Sequence, residues 1–164
     1  MSVLVVDNIR RRFDDRDVVD GISLSIDNGE SVALMGPSGC GKTTLLQMIG
    51  LLDRPDGGRI ELAGSDAWTA RSSIRAELRL AKLGSVFQHS NLLGHLSARD
   101  NVALPAWRAG MSRSAALARA DELLAPLGVA PRASALAREL SIGEAQRVAV
   151  ARALINRPAL VLAD

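Results

Sequence analysis

Residues 36–44 read Gly36-Pro37-Ser38-Gly39-Cys40-Gly41-Lys42-Thr43-Thr44, and no other stretch restricts the fold as much. Three glycines, a lysine and two threonines stand between a predicted buried strand at 31–35 and a predicted helix at 42–49. Gly36, Gly41, Lys42 and Thr43 satisfy Gly-x-x-x-x-Gly-Lys-[Ser/Thr] in the strand-to-helix context that this pattern requires. Glycines let the backbone curl until successive N–H groups point inward as an anion nest. The helix N-terminus adds partial positive charge. In such a loop Ser38, Gly39, Cys40 and Gly41 wrap a phosphate, and Lys42 reaches the β and γ phosphates. Thr43 offers its hydroxyl to Mg²⁺, and Thr44 lies near the α phosphate. The alternative is a glycine-rich turn with a helix-start lysine, which leaves the full motif unexplained. Cys40 reads as a small space-filler.

Composition narrows the setting. The 20 basic and 18 acidic residues leave a net charge of +2, too mild to argue for a nucleic-acid partner. Eighteen of the basic residues are Arg and two are Lys, so a lysine in a glycine loop stands out. Aromatics are 2%, so the core rests on Leu, Val, Ile and Ala. One cysteine gives no internal disulfide. No apolar run reaches the roughly 18 residues of a membrane span, so action at a membrane requires a partner. His89 and His95 read as surface residues, because nothing at ligand spacing accompanies them.

Alternation and turn signals predict strands at 3–6, 18–26, 59–62 and 83–87, with a hairpin turn at Asn28-Gly29. Helices are expected at 72–81, 97–109, 113–125 and 144–156. Pro158 precedes a buried apolar strand at 159–163. The order is antiparallel β, then α/β, then an all-α insert, then β again. The run Arg10-Arg11-Arg12 reads as a solvated charge cluster.

A second motif decides among the nucleotide-binding classes. Leu140-Ser141-Ile142-Gly143-Glu144-Ala145-Gln146-Arg147-Val148-Ala149-Val150-Ala151-Arg152-Ala153-Leu154 precedes the apolar strand that ends at Asp164. This stretch resembles the signature of the ATP-binding cassette (ABC) transporter ATPases, Leu-Ser-Gly-Gly-Gln followed by Gln-Arg-Val-Ala-[Ile/Val]-Ala-Arg-Ala-Leu. Ile142 stands for the first signature Gly and Glu144 for the Gln. Val161-Leu162-Ala163-Asp164 resembles the Walker B strand. Ser141 and Glu144 also form a plain helix capping box, and both readings can hold together. The resemblance runs over essentially the whole chain and is strongest to the bacterial lipoprotein-release and macrolide-export (LolD/MacB-like) branch.

The resemblance implies a P-loop NTPase (RecA-like) α/β core with an N-terminal antiparallel β subdomain and an all-α signature subdomain. Residues 1–88 and 158–164 would form the core, and 89–157 the Q-loop and helical part. It implies ATP and Mg²⁺ as ligands. Phe13, 29 residues before Lys42, takes the place of the aromatic that stacks on adenine. Gln88 takes the place of the Q-loop glutamine, which reaches Mg²⁺ and senses the γ phosphate. Asp164 takes the place of the Walker B aspartate. Ser141, Gly143 and Glu144 would meet the γ phosphate held by a second, head-to-tail copy. Residues 90–105 would receive a transmembrane permease, which puts the protein at the cytoplasmic face of the membrane. In the family a catalytic glutamate and a γ-phosphate histidine follow the position of Asp164, where this chain ends. The expectation is a 164-residue chain that binds nucleotide weakly and does not turn it over, with an empty slot beside the 31–35 strand. Ile142 is expected at negative φ, because an N-cap at Ser141 and the following helix both require it. A nucleotide-binding module without turnover remains the alternative. A DNA-maintenance ATPase fits less well, because no heptads fill the 99 residues from Lys42 to Ser141.

Overall fold

The computed structural model describes residues 2–164, and they form two compact units, one up to Lys82 and one from Leu83 to Asp164. In the first unit β1 (Ser2–Phe13), β2 (Arg16–Asp27), β3 (Gly57–Leu62) and β4 (Ser65–Asp66) form one antiparallel sheet in the order β2-β1-β3-β4. Helices α1 (Lys42–Ile49) and α2 (Ser72–Lys82) complete it. Leu4, Val6 and Ile9 of β1 and Ile60 and Leu62 of β3 are buried, as are Met48 and Leu51 at the end of α1. Strand β1 outruns its apolar segment because it is hydrogen-bonded on both edges, to β2 and to β3. Two ladders carry Arg10, Arg11 and Arg12 into extended backbone that propensity alone does not favour.

Residues 31–35 depart from expectation. They are not a strand, and they are not buried: Val32 is 48% exposed and Met35 90%. Asn28-Gly29 does turn the chain, with Gly29 at φ 80° and the Glu30 N–H on the Asp27 carbonyl at 3.1 Å. No hairpin follows, because no described strand pairs with 31–35. An apolar run becomes a strand only when a neighbour completes its ladder.

In the second unit β5 (Leu83–Val86) and β6 (Leu160–Ala163) form a parallel pair, and α3 (Ala98–Arg108), α4 (Arg113–Leu124) and α5 (Ile142–Leu154) pack as a helical layer. The core of this layer is built on small residues at four-residue spacing: Ala98, Val102 and Ala106 on α3, and Ala116, Ala120 and Leu124 on α4. Such stripes let helix axes approach closely, which accounts for a core almost without aromatics. Asn101 is buried at 1% exposure yet satisfied. Its Oδ1 accepts the Leu93 N–H at 2.7 Å, and its Nδ2 donates to the carbonyls of Leu93 and Ser97. It thereby shapes the 93–97 loop.

Gly84 lets the end of α5 lie against β5. A Cβ at this position would collide with the Ala153 carbonyl and come within 3.0 Å of Pro158 Cγ. Backbone atoms cannot yield as a side chain can, so Gly84→Ala should destabilise the protein by about 1–3 kcal/mol. Denaturant unfolding of the two proteins measures the difference, and equal midpoints would contradict the packing.

Helix α5 starts at Ile142, two residues earlier than its apolar pattern suggests, because Ser141 caps it at φ −63°. Ser141 Oγ accepts the Glu144 N–H at 3.2 Å, and Glu144 Oε2 accepts the Ser141 N–H at 2.8 Å. The Ser141 N–H, then its hydroxyl, then Arg132 and Arg147 hold the Glu144 carboxyl below its ordinary value. A depressed carboxylate stabilises the fold above the ordinary glutamate value of about 4.3 and loses that contribution as pH falls through its own lower value. The protection factor of the Glu144 amide should therefore drop between pH 6 and pH 3. In Glu144→Gln, which keeps an acceptor but does not titrate, the drop should vanish.

Candidate functional site

The residues singled out in the sequence fall into two sets, one on each unit. On the first unit, residues 36–44 leave the 31–35 segment and enter α1. Gly41 is the N-cap of α1 at φ 94°, a left-handed conformation. A Cβ on Gly41 would strike the Val18 carbonyl of β2, so only glycine fits between strand and helix. Gly41 has no side chain with which to cap the first N–H groups of α1, and no acidic residue stands in its first turn. An uncapped helix start with no competing carboxylate is a site for an anion. Thr43 and Thr44 follow in that first turn, and Ser38, Gly39 and Cys40 are exposed on the loop.

Lys42 folds back over this loop. Its Nζ donates to the carbonyls of Gly36 at 2.9 Å and Pro37 at 2.8 Å, and lies 3.7 Å from Cys40 Sγ. The ammonium therefore sits over the concavity that the glycines form. Cys40 Sγ would lie 2.8 Å from a Cβ on Gly36, so the cysteine fills space against the first motif glycine. A cleft of about 370 Å³ beside the loop is lined by Val18, Asp20, Leu34, Cys40, Lys42 and Leu45.

Phe13 ends β1 next to the turn into β2, paired with Arg16, and is 44% exposed. Strand β2 brings the loop into the same neighbourhood, since Val18 packs on Gly41 two residues after Arg16. The arginine run before Phe13 is not uniformly solvated, contrary to its appearance in the sequence. Arg11 is drawn in by Asp53 and Asp56. Strand alternation gave no signal for this, because the β1–β2 register shifts between Ile9 and Arg11 and again between Arg11 and Arg12.

On the second unit, Gln88 and Asp164 come together at one end of the parallel pair. Val86 pairs with Ala163, and the Asp164 N–H donates to the Val86 carbonyl at 3.0 Å. Gln88 follows two residues after Val86, and both side chains are exposed. This is the carboxyl end of the strands, where parallel sheets present their binding residues. Two residues that sequence reasoning passed over fix this corner. Gln146 Nε2 donates to the Phe87 carbonyl at 3.3 Å. Arg152 donates to the carbonyls of Ser90 and Asn91, both at 2.7 Å. Burial works against the Arg152 charge and lowers its pKa, and the two carbonyls offset that cost. Helix α5 thus grips the segment that carries Gln88.

At the other end of α5, Ile142 is the first helical residue and is 91% exposed, and it is not among the residues at positive φ. The negative φ expected there is what the cap imposes. A Cβ on Gly143 would meet only Arg147 Nη1, at an ordinary 3.5 Å. The glycine is therefore not demanded by local packing, and its bareness leaves the start of α5 open outward. Glu144 is turned back on Ser141 and paired with Arg132 at 3.4 Å, so its charge is compensated within the chain.

Among the described residues no group of three or more His, Cys, Asp or Glu could hold a metal by itself. No helix among them is long and apolar enough to cross a membrane.

Comparison with known proteins agrees with this geometry. The ABC transporter family model matches residues 19–164. The lipoprotein-releasing system ATP-binding protein LolD of Porphyromonas gingivalis is 47% identical over 96% of this chain and 72% of its own length. LolD of Paramagnetospirillum magneticum is 49% identical over 98% of this chain and 73% of its own length. The macrolide export ATP-binding/permease protein MacB 1 of Aeromonas hydrophila is 46% identical over 99% of this chain, which spans 26% of that protein. Among solved structures, the ATP-binding cassette MJ0796, a dimer in a post-hydrolysis state bound to ADP and Pi, superposes with a TM-score of 0.89 at 35% identity. It does so over 98% of this chain and 73% of the other. A glycine loop entering an uncapped helix, a capped signature helix and a mixed α/β fold matched by ABC cassettes lead to one assignment: the chain belongs to the ABC transporter family of ATPases, in the branch of ATP-binding subunits and domains that LolD and MacB represent.

Proposed function

We propose that this protein is the ATP-hydrolysing subunit that drives a bacterial membrane system of the lipoprotein-release or export type. The observation that carries the reading is the loop at 36–44. Its lysine lies over a glycine-shaped concavity at the start of an uncapped helix. When bound, ATP with Mg²⁺ supplies the reactive phosphoanhydride and the charge-neutralising metal; the chain supplies positioning and electrostatics. Lys42 would leave its two carbonyls for the β and γ phosphates. Thr43, Gln88 and Asp164 offer a hydroxyl, an amide oxygen and a carboxylate, which are hard oxygen donors suited to Mg²⁺. Because they lack a dedicated carboxylate cage, the metal would arrive with the nucleotide phosphates. Phe13 would stack on the adenine.

A second copy, head to tail, would present Ser141 and Gly143 to the γ phosphate. Ser141 Oγ accepts the Glu144 N–H within its cap, and its hydroxyl proton, which in this chain alone bears on the Glu144 carboxylate, would turn to the phosphate. Residues 90–105, shaped by Asn101 and held at one end by Arg152, would receive the permease. The ADP and Pi in the related cassette and the lipoprotein-release names of the relatives support this reading. In this view residues 1–88 and 158–164 carry the phosphate and metal groups, and 89–157 carries the signature.

Lys42→Ala tests the reading. Equilibrium titration with Mg-ATP should show at least a tenfold loss of affinity, about 1.4 kcal/mol or more, with unchanged circular dichroism. Unchanged affinity would remove the loop as the nucleotide site.

A further inference from the structure

The three arginines of β1 behave differently from one another. Arg10 lies 3.8 Å from Asp20 and Arg12 lies 3.9 Å from Asp17, long contacts between exposed groups. Arg11 is held in place. Its Nε and Nη2 donate to the two oxygens of Asp53 at 3.0 and 2.9 Å, a bidentate fork. Its Nη1 donates to Asp56 Oδ1 at 2.8 Å. Asp56 is itself tied down, since its Oδ2 accepts the Arg12 N–H at 2.7 Å and its own N–H donates to the Arg10 carbonyl at 2.9 Å. The Arg12 amide, ahead of the Arg11 guanidinium, holds the Asp56 carboxyl below its ordinary value.

Three charge-assisted bonds lie in the guanidinium plane, so the plane cannot turn. The flat face that remains lies over the Phe13 ring, with the guanidinium carbon 4.6 Å from the ring centroid. Phe13 keeps 44% of its surface exposed. One face of the ring is therefore backed by a fixed cation while much of the ring stays open to solvent. A cation on one face draws π density toward itself and makes the other face less negative. A purine, whose own face is negative, then stacks there with less repulsion. A purely structural tie between β1 and the 53–56 turn accounts for the ion pairs. It does not account for the guanidinium lying on a half-exposed aromatic at the end of the strand.

We infer that Arg11 is a positioning residue for the nucleotide base, fixing and polarising the Phe13 ring from behind, with Asp53 and Asp56 fixing Arg11 in turn. The inference rests on the reading of Phe13 as the platform for the base. It makes base affinity depend on the turn that follows α1, the helix opened by the phosphate loop.

The test separates base from phosphate. Wild type, Phe13→Ala, Arg11→Met, Arg11→Lys and the double variant Phe13→Ala/Arg11→Met are titrated with Mg-ATP and with inorganic tripolyphosphate. Arg11→Met should weaken ATP binding by about 2- to 30-fold, the range of a cation–π contact from exposed to desolvated. Tripolyphosphate binding should not change. The double variant should bind ATP no more weakly than Phe13→Ala alone, because Arg11 acts through the ring. Arg11→Lys keeps the charge but not the planar fork, and should lose ATP affinity in the same selective way. It decides the matter if Arg11→Met loses tripolyphosphate binding and its fold together. Equal losses for ATP and tripolyphosphate in Arg11→Lys would reduce Arg11 to a structural tie and overturn the inference. So would an Arg11 effect that persists in full without Phe13. If Phe13→Ala weakens ATP binding and the Arg11 variants do not, the inference fails and the platform stands. If Phe13→Ala leaves ATP binding unchanged, the platform reading fails and takes the inference with it.

Discussion

An ammonium group must find acceptors, and the way Lys42 finds them organises the phosphate loop. Its Nζ bonds to the Gly36 and Pro37 carbonyls, so the lysine braces the loop from which it projects. The glycines that open the concavity would leave it floppy, because each carries the full backbone entropy of a residue without Cβ. The lysine counters this by tying the start of the loop to its end. Gly41 adds a second constraint through its contact with the Val18 carbonyl. A phosphate arriving at this loop would have only to exchange one set of oxygens for another around the same ammonium. Preorganisation of this kind lowers the ordering cost of binding.

What could be read from the sequence divides along the range of the interactions. The phosphate loop, the Ser141–Glu144 box and the helices at 42–49, 113–124 and 142–154 are set by residues within a turn or two, and local patterns reveal them. The family resemblance followed from those same local motifs. Residues 31–35 show where local reading stops, because their apolar character is plain and yet strand formation depends on a ladder partner elsewhere. β1 errs in the opposite direction: its polar half looks like a charged loop, but two flanking strands hold it extended. Arg11 was hidden by its neighbours. Among three identical residues, the one that folds inward is chosen by Asp53 and Asp56, more than forty positions away, and no window around residue 11 contains them.

Helix α5 joins two of the functional features in the second unit. Its start is the Ser141 cap with an exposed Ile142, and its later turns hold the Gln88 segment through Gln146 and Arg152. A displacement at one end of a stiff helix must appear at the other, within the play of its packing. The stripes on α3 and α4 leave little play, because they are fully packed and four of their six residues are alanines with no rotamer to change. The Ser141 cap and the Gln88 segment therefore share one rigid carrier.

The chemistry of the Arg152 contact has a further consequence, for how this family can diversify. Both of its bonds go to main-chain carbonyls, which every amino acid supplies. Position 90 can therefore vary in side chain, and so in what it shows to a partner, while the anchor stays intact. Position 91 is less free, since Asn91 sits at φ 48°, where asparagine and glycine are tolerated best. An arginine that reads backbone and not side chains holds the loop whatever side chain position 90 carries. Substitution at position 90 therefore changes the surface of the loop without loosening its anchor.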